Sequence, residues 1–360
     1  MKILTVVGAR PQFIKAAAVS RAIQNRPEIQ EIIVHTGQHF DQNMSDIFFN
    51  ELKIPKPDFN LGINSLGHGA MTGKMLADIE SILIEQKPDW VLVYGDTNST
   101  LAGALAAKKL HIKIAHVEAG LRSFNMRMPE EINRILTDRI SDILFCPTKN
   151  AVENLQNEGF NNFPCSIELV GDVMKDAALF YKEISEEKAT IIENKSLPEK
   201  FVLATFHRAE NTDDKEKLAE IIEALNTINE SVAVVAPIHP RTKIRIDKFN
   251  LNPQFTIIDP VGYLDMVQLI TNASLVLTDS GGLQKEAYFF EKYCITMREQ
   301  TEWVELLTNG VNALVGTDRQ KLLNQFEKFH NKPFQCAVEL YGNGSASDTI
   351  CDSLLKFEQA

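Results

Sequence analysis

Short aliphatic or β-branched runs, each followed by a stretch with helical spacing, recur along almost the whole chain. They fall at residues 3–7, 32–36, 91–94, 114–118, 143–146 and 167–170, and again at 201–205, 232–236, 256–258, 275–278 and 293–297. Alternation of this kind makes consecutive strands parallel, because a helical crossover returns the chain to the same edge. Each series has enough strands for its own sheet. The expected fold is therefore α/β, with two doubly wound Rossmann-like domains spanning residues 1–175 and 176–345. Domains of this type facing each other would open the carboxyl ends of both sheets onto one cleft, where open α/β sheets bind ligands. The charged stretch 182–200 lacks a hydrophobic period and ends near Pro198, which reads as a peripheral helix or linker. The strand-end loops should then carry the chemistry.

The 360 residues include 48 acidic and 37 basic side chains, a net charge of -11. Such a chain offers no basic field to a polyanion, so neither nucleic acid nor an anionic membrane is an expected partner. A phosphate would have to be held by a few local cations and by backbone amides. No apolar run reaches the roughly 20 residues that span a bilayer. The opening Met1, Lys2, Ile3, Leu4 runs directly into a strand without a leader, which predicts a cytoplasmic location. Cys146, Cys165, Cys294, Cys336 and Cys351 are odd in number and widely scattered. Their spacing suits neither zinc nor a disulfide framework, so no metal is expected and the thiols should be reduced.

The first strand leads into Gly8, Ala9, Arg10 and Pro11, then a helix whose buried side would use Ile14, Ala17 and Ala18. Lys15 lies about one turn in. A cation near a helix amino end opposes the macrodipole, which makes sense when an anion is to be bound there. Taken singly, Arg10 and Lys15 are ordinary solvated cations. No third glycine completes a dinucleotide fingerprint, so NAD is not expected.

Two carboxylates end neighbouring strands: Asp96 within Tyr94 to Thr100 and Glu118 within His116 to Arg122. Asp96 could serve only as a helix cap, a role that Thr97, Ser99 or Thr100 fill as well, and Glu118 could pair with Arg122. At successive strand ends, however, two partly desolvated acids suit acid and base work. Pro129, Glu130 and Glu131 open another helix in the way its dipole prefers. In the second half, Thr205 is followed by Phe206, His207 and Arg208, and Thr278 by Asp279, Ser280, Gly281 and Gly282. Two adjacent glycines let amides converge on an anion at a helix start, with Glu286 one turn further on.

Six segments, at residues 8–15, 94–100, 116–122, 129–134, 207–211 and 279–286, resemble in order and spacing the non-hydrolysing UDP-N-acetylglucosamine 2-epimerases. The resemblance implies a glycosyltransferase-B-like fold, a homodimer, a UDP-sugar substrate and no metal or redox cofactor. It also implies a C-terminal helix within residues 346–360 that returns to the first domain. By the same resemblance Asp96, Glu118, Glu130 and His207 match catalytic positions. Arg10, Lys15, Arg208, Ser280, Gly281, Gly282 and Glu286 match substrate-binding ones. The chain departs from the commonest pattern at Ala209, where a second arginine is usual, and at Thr301, Glu302, Trp303, Val304, Glu305, where Thr-Glu-Arg-Pro-Glu is usual. The segment between Glu118 and Pro129 is also short. These differences bear on the activating second substrate site and on the sugar. The wording Ser123, Phe124, Asn125, Met126, Arg127, Met128, with Glu302, Trp303 and Val304, is similar to the O-antigen branch acting on UDP-2,3-diacetamido-2,3-dideoxyglucuronic acid.

The chemistry so implied is an elimination in which a base takes the carbon 2 proton as UDP leaves carbon 1. Re-addition follows, with a proton delivered to the opposite face. Which acid serves which face is open at this level. So are a glycosyltransferase of the same fold, a hydrolysing 2-epimerase and a silent nucleotide-sugar sensor.

Overall fold

The computed structural model describes residues 1–38 and 55–359, and of Arg10 and Gln359 the backbone alone. The chain divides into two compact units, Met1–Ala177 with Leu340–Ala360, and Ala178–Glu339.

The first unit is built on seven strands, β1 (Lys2–Val7), β2 (Gln30–His35), β3 (Phe59–Asn60), β4 (Trp90–Tyr94), β5 (Lys113–Val117), β6 (Ile143–Cys146) and β7 (Ser166–Leu169). They are ordered β3-β2-β1-β4-β5-β6-β7 and paired in parallel throughout. The second unit has β8 (Val202–Thr205), β9 (Val234–Pro237), β10 (Thr256–Ile258), β11 (Leu275–Thr278), β12 (Cys294–Thr296) and β13 (Asn312–Leu314). Its order is β10-β9-β8-β11-β12-β13, again parallel. The central strands Leu4, Val6, Val91 and Val93 are fully buried, as are Leu203, Val276 and Ile295, because helices cover both sheet faces. The two-sheet α/β class expected from the alternation is the one observed. Two strands escaped that reading: β3 and β13 are two and three residues long, too short to show a period.

In each order the direction of winding reverses once, between β1 and β4 in the first unit and between β8 and β11 in the second. The loops leaving those four strands begin at Gly8, Gly95, Phe206 and Asp279. The reversal leaves a crevice at the carboxyl ends, since the two crossovers diverge to opposite faces of the sheet. Four of the six segments singled out from the sequence therefore start at a switch point.

The 182–200 stretch is more ordered than a linker. The helix Val173–Lys188 runs into it, burying Tyr181 and Ile184, and a short helix, Ile191–Asn194, follows. Ser185 donates to the Leu264 carbonyl at 2.7 Å and Gln268 to the Ala189 carbonyl at 2.8 Å. So few of its side chains are buried that no period shows. The last helix, Ala346–Gln359, packs on the helix Arg10–Gln24 through Ile350, Cys351 and Leu354. Arg26 bridges Asp348 and Asp352 at 2.9 and 2.8 Å, and Trp90 donates to Glu358 at 2.8 Å. All five cysteines are free thiols.

Candidate active site

In the first unit the turn after β1 is tied to the turn after β4 by one side chain. The Gln12 carbonyl oxygen accepts from the amides of Gly8 and Ala9 at 2.8 and 3.0 Å, and its amide donates to the Tyr94 carbonyl at 2.7 Å. One turn along the same helix, Lys15 forms a buried ion pair with Glu118, at the end of β5. Arg10 heads this helix; its side chain lies outside the described residues.

Glu118 is held in the left-handed backbone region, φ 70°, a conformation that costs a branched or bulky residue energy and concentrates at functional sites. It is kept there because its amide and that of Ala119 both donate to the Phe145 carbonyl on β6, each at 3.1 Å. Gly95, at φ 61°, lies so near the Lys15 and Glu118 pair that a Cβ there would meet the carboxylate at 3.2 Å and the ammonium at 3.3 Å. Asp96 follows it. Arg134 donates to the Asp96 carboxylate at 2.5 Å and to Glu131 at 2.8 Å. Burial pushes the Asp96 carboxyl above its usual range, and the nearby Arg134 and Lys15 only partly offset this. The cap of the following helix is Thr97, which accepts from the Thr100 amide at 3.3 Å, so Asp96 is released from that duty.

A second layer fixes both turns. His116 on β5 places Nδ1 2.7 Å from Asp138 and Nε2 2.7 Å from the Gly95 carbonyl. Both partners are acceptors, so the ring serves both bonds when both nitrogens carry hydrogen. Asp138 also accepts from the Gly120 amide at 3.2 Å and from Arg122 at 2.7 Å. Burial opposes its ionisation, but these donors win and hold it below the usual carboxylate range. Arg122 therefore pairs with Asp138 and Glu158, and the Glu118 partner suggested by sequence is replaced by Lys15.

Glu130 is exposed at the start of the helix Pro129–Ile140, whereas its neighbour Glu131 is buried and accepts from the Ser123 and Phe124 amides at 2.9 and 2.8 Å. This helix is inverted relative to a usual surface helix. Glu131 and Asp138 are 1% and 0% exposed, while the apolar Ile132 and Leu136 are 39% and 46% exposed. The sequence carried that signal as a polar stripe at 131, 134 and 138, spaced as one helical face. Reading the helix by its dipole alone passed over it, and so missed Glu131, Arg134 and Asp138.

In the second unit Asp279 ends β11 fully buried. It accepts from the amides of His207 and Arg208, each at 2.9 Å, and from Asn211 at 3.1 Å. His207 Nδ1 stands 3.2 Å away. Burial works against the charge, yet these hydrogen bonds keep the Asp279 carboxyl below its usual range. Asp279 thereby turns the His207 ring outward, where it is 55% exposed, and leaves Arg208 partly exposed near Glu210. Ser280 begins the helix Gly281–Phe289, whose amino end has no side-chain cap, and Glu286 is buried one turn later.

Residues 21–355 match the model of the family described as UDP-N-acetylglucosamine 2-epimerase. The chain belongs to this family. It is 58% identical to the UDP-2,3-diacetamido-2,3-dideoxy-D-glucuronate 2-epimerase of Pseudomonas aeruginosa, over 99% of this chain and 100% of that one. It is 52% identical to a UDP-N-acetylglucosamine 2-epimerase homolog of Methanococcus maripaludis, over 98% and 99% of the two chains. Among solved structures it resembles the Methanocaldococcus jannaschii UDP-GlcNAc 2-epimerase in complex with UDP-GlcNAc and UDP. That match has a TM-score of 0.86 at 45% identity, covering 99% of this chain and 100% of that one. The family read from the six segments, its glycosyltransferase-B-like fold and its standing as an isomerase family are those found.

Proposed function

We propose that the protein inverts carbon 2 of a UDP-2-acetamido sugar without hydrolysing it, and that its substrate is UDP-2,3-diacetamido-2,3-dideoxyglucuronate or its manno epimer. One observation carries the reaction type: two acids follow the adjacent strands β4 and β5, and each is held by a cation, Asp96 by Arg134 and Glu118 by Lys15. Glu118 is ion-paired with Lys15, and Asp96 is raised by burial. Two carboxyls at neighbouring strand ends are what abstraction on one face of a sugar and protonation on the other require.

In this reading one carboxylate removes the carbon 2 proton while the bond from carbon 1 to the diphosphate oxygen breaks and UDP leaves with the electron pair. UDP then adds back to the 2-acetamidoglycal as a proton reaches carbon 2 from the other side. In the second unit His207, Arg208 and the amides of Gly281 and Gly282 stabilise the diphosphate charge and Glu286 accepts from ribose hydroxyls, while in the first unit Arg10 and Lys15 are cations available to an anion. Glu130 joins the proton-transfer set if the sugar reaches it. No metal or redox step is needed. The choice of the diacetamido uronate is supported by the 58% identity to the Pseudomonas aeruginosa enzyme. Arg127, beside the anchored Ser123 and Phe124, is a cation available to a uronate.

A second copy of the chain is the proposed partner of the outward apolar face of Ile132 and Leu136; Phe124 and Met126, in the preceding loop, are exposed as well. Five free thiols suit a reducing cytoplasm, and a role in O-antigen synthesis fits a diacetamido uronate.

The test is to incubate the enzyme in deuterium oxide with a panel of UDP-sugars and no acceptor, following products by NMR. A new UDP-sugar carrying deuterium at carbon 2 is expected. Free sugar plus UDP would indicate a hydrolysing epimerase, no turnover without acceptor a transferase, and epimer lacking deuterium would sink the elimination route.

A further inference from the structure

We infer that Trp303 is a positioning residue for the diphosphate. It would set and polarise the backbone amide of Gly282 from behind. The inference rests on the reading that the Ser280 to Gly282 turn binds the nucleotide.

The helix Gly281–Phe289 starts without a side-chain cap, so its first amides look for an acceptor. The carbonyls of the same peptides are bound on the opposite side. Trp303 Nε1 donates to the Gly281 carbonyl at 3.0 Å, and Gln284 Nε2 donates to the Ser280 carbonyl at 3.2 Å. The Gly281 carbonyl and the Gly282 amide belong to one peptide group, as do the Ser280 carbonyl and the Gly281 amide. A hydrogen bond to a peptide oxygen draws electron density from its nitrogen, so the amide becomes a stronger donor. Both glycine amides are thus aimed and strengthened before any anion arrives.

The surroundings keep Trp303 in this role. Its indole is almost fully buried, and the Lys285 ammonium lies 4.1 Å from the ring centroid. The Trp303 amide donates to Thr301 Oγ1 at 3.2 Å, and that hydroxyl donates to Gln284 at 2.7 Å, joining the two carbonyl donors in one network. On this rear side a Cβ at Gly281 would meet Glu302 at 2.6 Å, so the segment presses directly on the turn. At Gly282, by contrast, a Cβ would meet nothing within 4 Å. One side of the turn is packed and the other is open for a ligand. Trp303 is also a point where the chain departs from the commoner family wording.

The experiment compares wild type, Trp303→Phe, which keeps the ring and deletes the donor, and Gly282→Ala. Calorimetric titration with UDP and steady-state kinetics are measured on each. For Trp303→Phe the UDP Kd and the substrate KM should rise about three- to tenfold with Tm within about 3 °C of wild type. In wild type UDP should perturb the tryptophan emission; with Trp90 as the sole remaining indole the perturbation should vanish. Unchanged Kd and KM in Trp303→Phe, with Gly282→Ala losing UDP binding, would overturn the inference and leave the turn as the site. A Gly282→Ala enzyme that binds UDP normally would overturn the reading of the turn itself. If Trp303→Phe fails to fold, Gln284→Glu supplies the same test on the Gly281 amide. A wild-type-like UDP Kd there counts against polarisation from behind.

Discussion

The two units use one architecture, a parallel sheet with a reversal of winding, yet arm their strand ends in different ways. In the first, the switch-point loops carry full charges packed against each other, Lys15 on Glu118 and Arg134 between Asp96 and Glu131. In the second, the only buried acid among the four loop residues from Asp279 to Gly282 collects backbone amides, and the helix start beyond it offers neutral dipoles. Charges held in pairs can exchange protons as a neighbour changes, which suits chemistry at carbon. Dipoles fixed by the backbone cannot titrate, and bind a diphosphate without altering their own state. The contrast teaches that equivalent strand ends of one fold can be armed with paired charges or with backbone dipoles by changing side chains alone.

The sharpest way to break this contrast is Asp96→Asn. If Asp96 transfers a proton, turnover measured by NMR should fall by on the order of 100-fold or more with circular dichroism unchanged; near-normal turnover would return the acid to a scaffolding role. Lys15→Met should come next. It removes the buried cation paired with Glu118, so stability should fall by about 3 kcal/mol in chemical denaturation.

For the second unit, Asp279→Asn removes the charge that assists three hydrogen bonds and replaces one oxygen by a donor, for a loss of about 2 kcal/mol, or roughly 4–8 °C in Tm at pH 7. Its native pKa lies below the reference 3.8. The stability that Asp279 supplies is present at neutral pH and is lost only as pH falls below about 4, so wild type and variant should converge there. Asp96 has the opposite sign. Its folded pKa is raised, so ionisation costs folding energy as pH climbs through that value. The smallest effect is then expected for the Tm of Asp96→Asn at pH 7, unchanged or slightly higher than wild type. A large drop in its Tm would erase the distinction between the two units.

Alternation of apolar runs with helical spacing was enough to read both sheets except their short edge strands β3 and β13, since strands buried on both faces must be apolar along their length. The loops were legible too, because strand ends of such sheets point to a crevice. Which acid meets which cation was not. Arg122 follows Glu118 closely in sequence, but the left-handed turn at Glu118 swings the arginine toward Asp138 and Glu158, and Lys15 arrives from 103 residues away. Likewise Glu130 and Glu131 are equivalent to the helix dipole; the polar stripe at 131, 134 and 138 separates them, and packing turns that stripe inward and Ile132 outward. Local periodicity determined the fold class and the places where chemistry could sit. The pairing of charges depended on long-range approach in three dimensions, where burial raises the cost of every unpaired ion and so selects its partner.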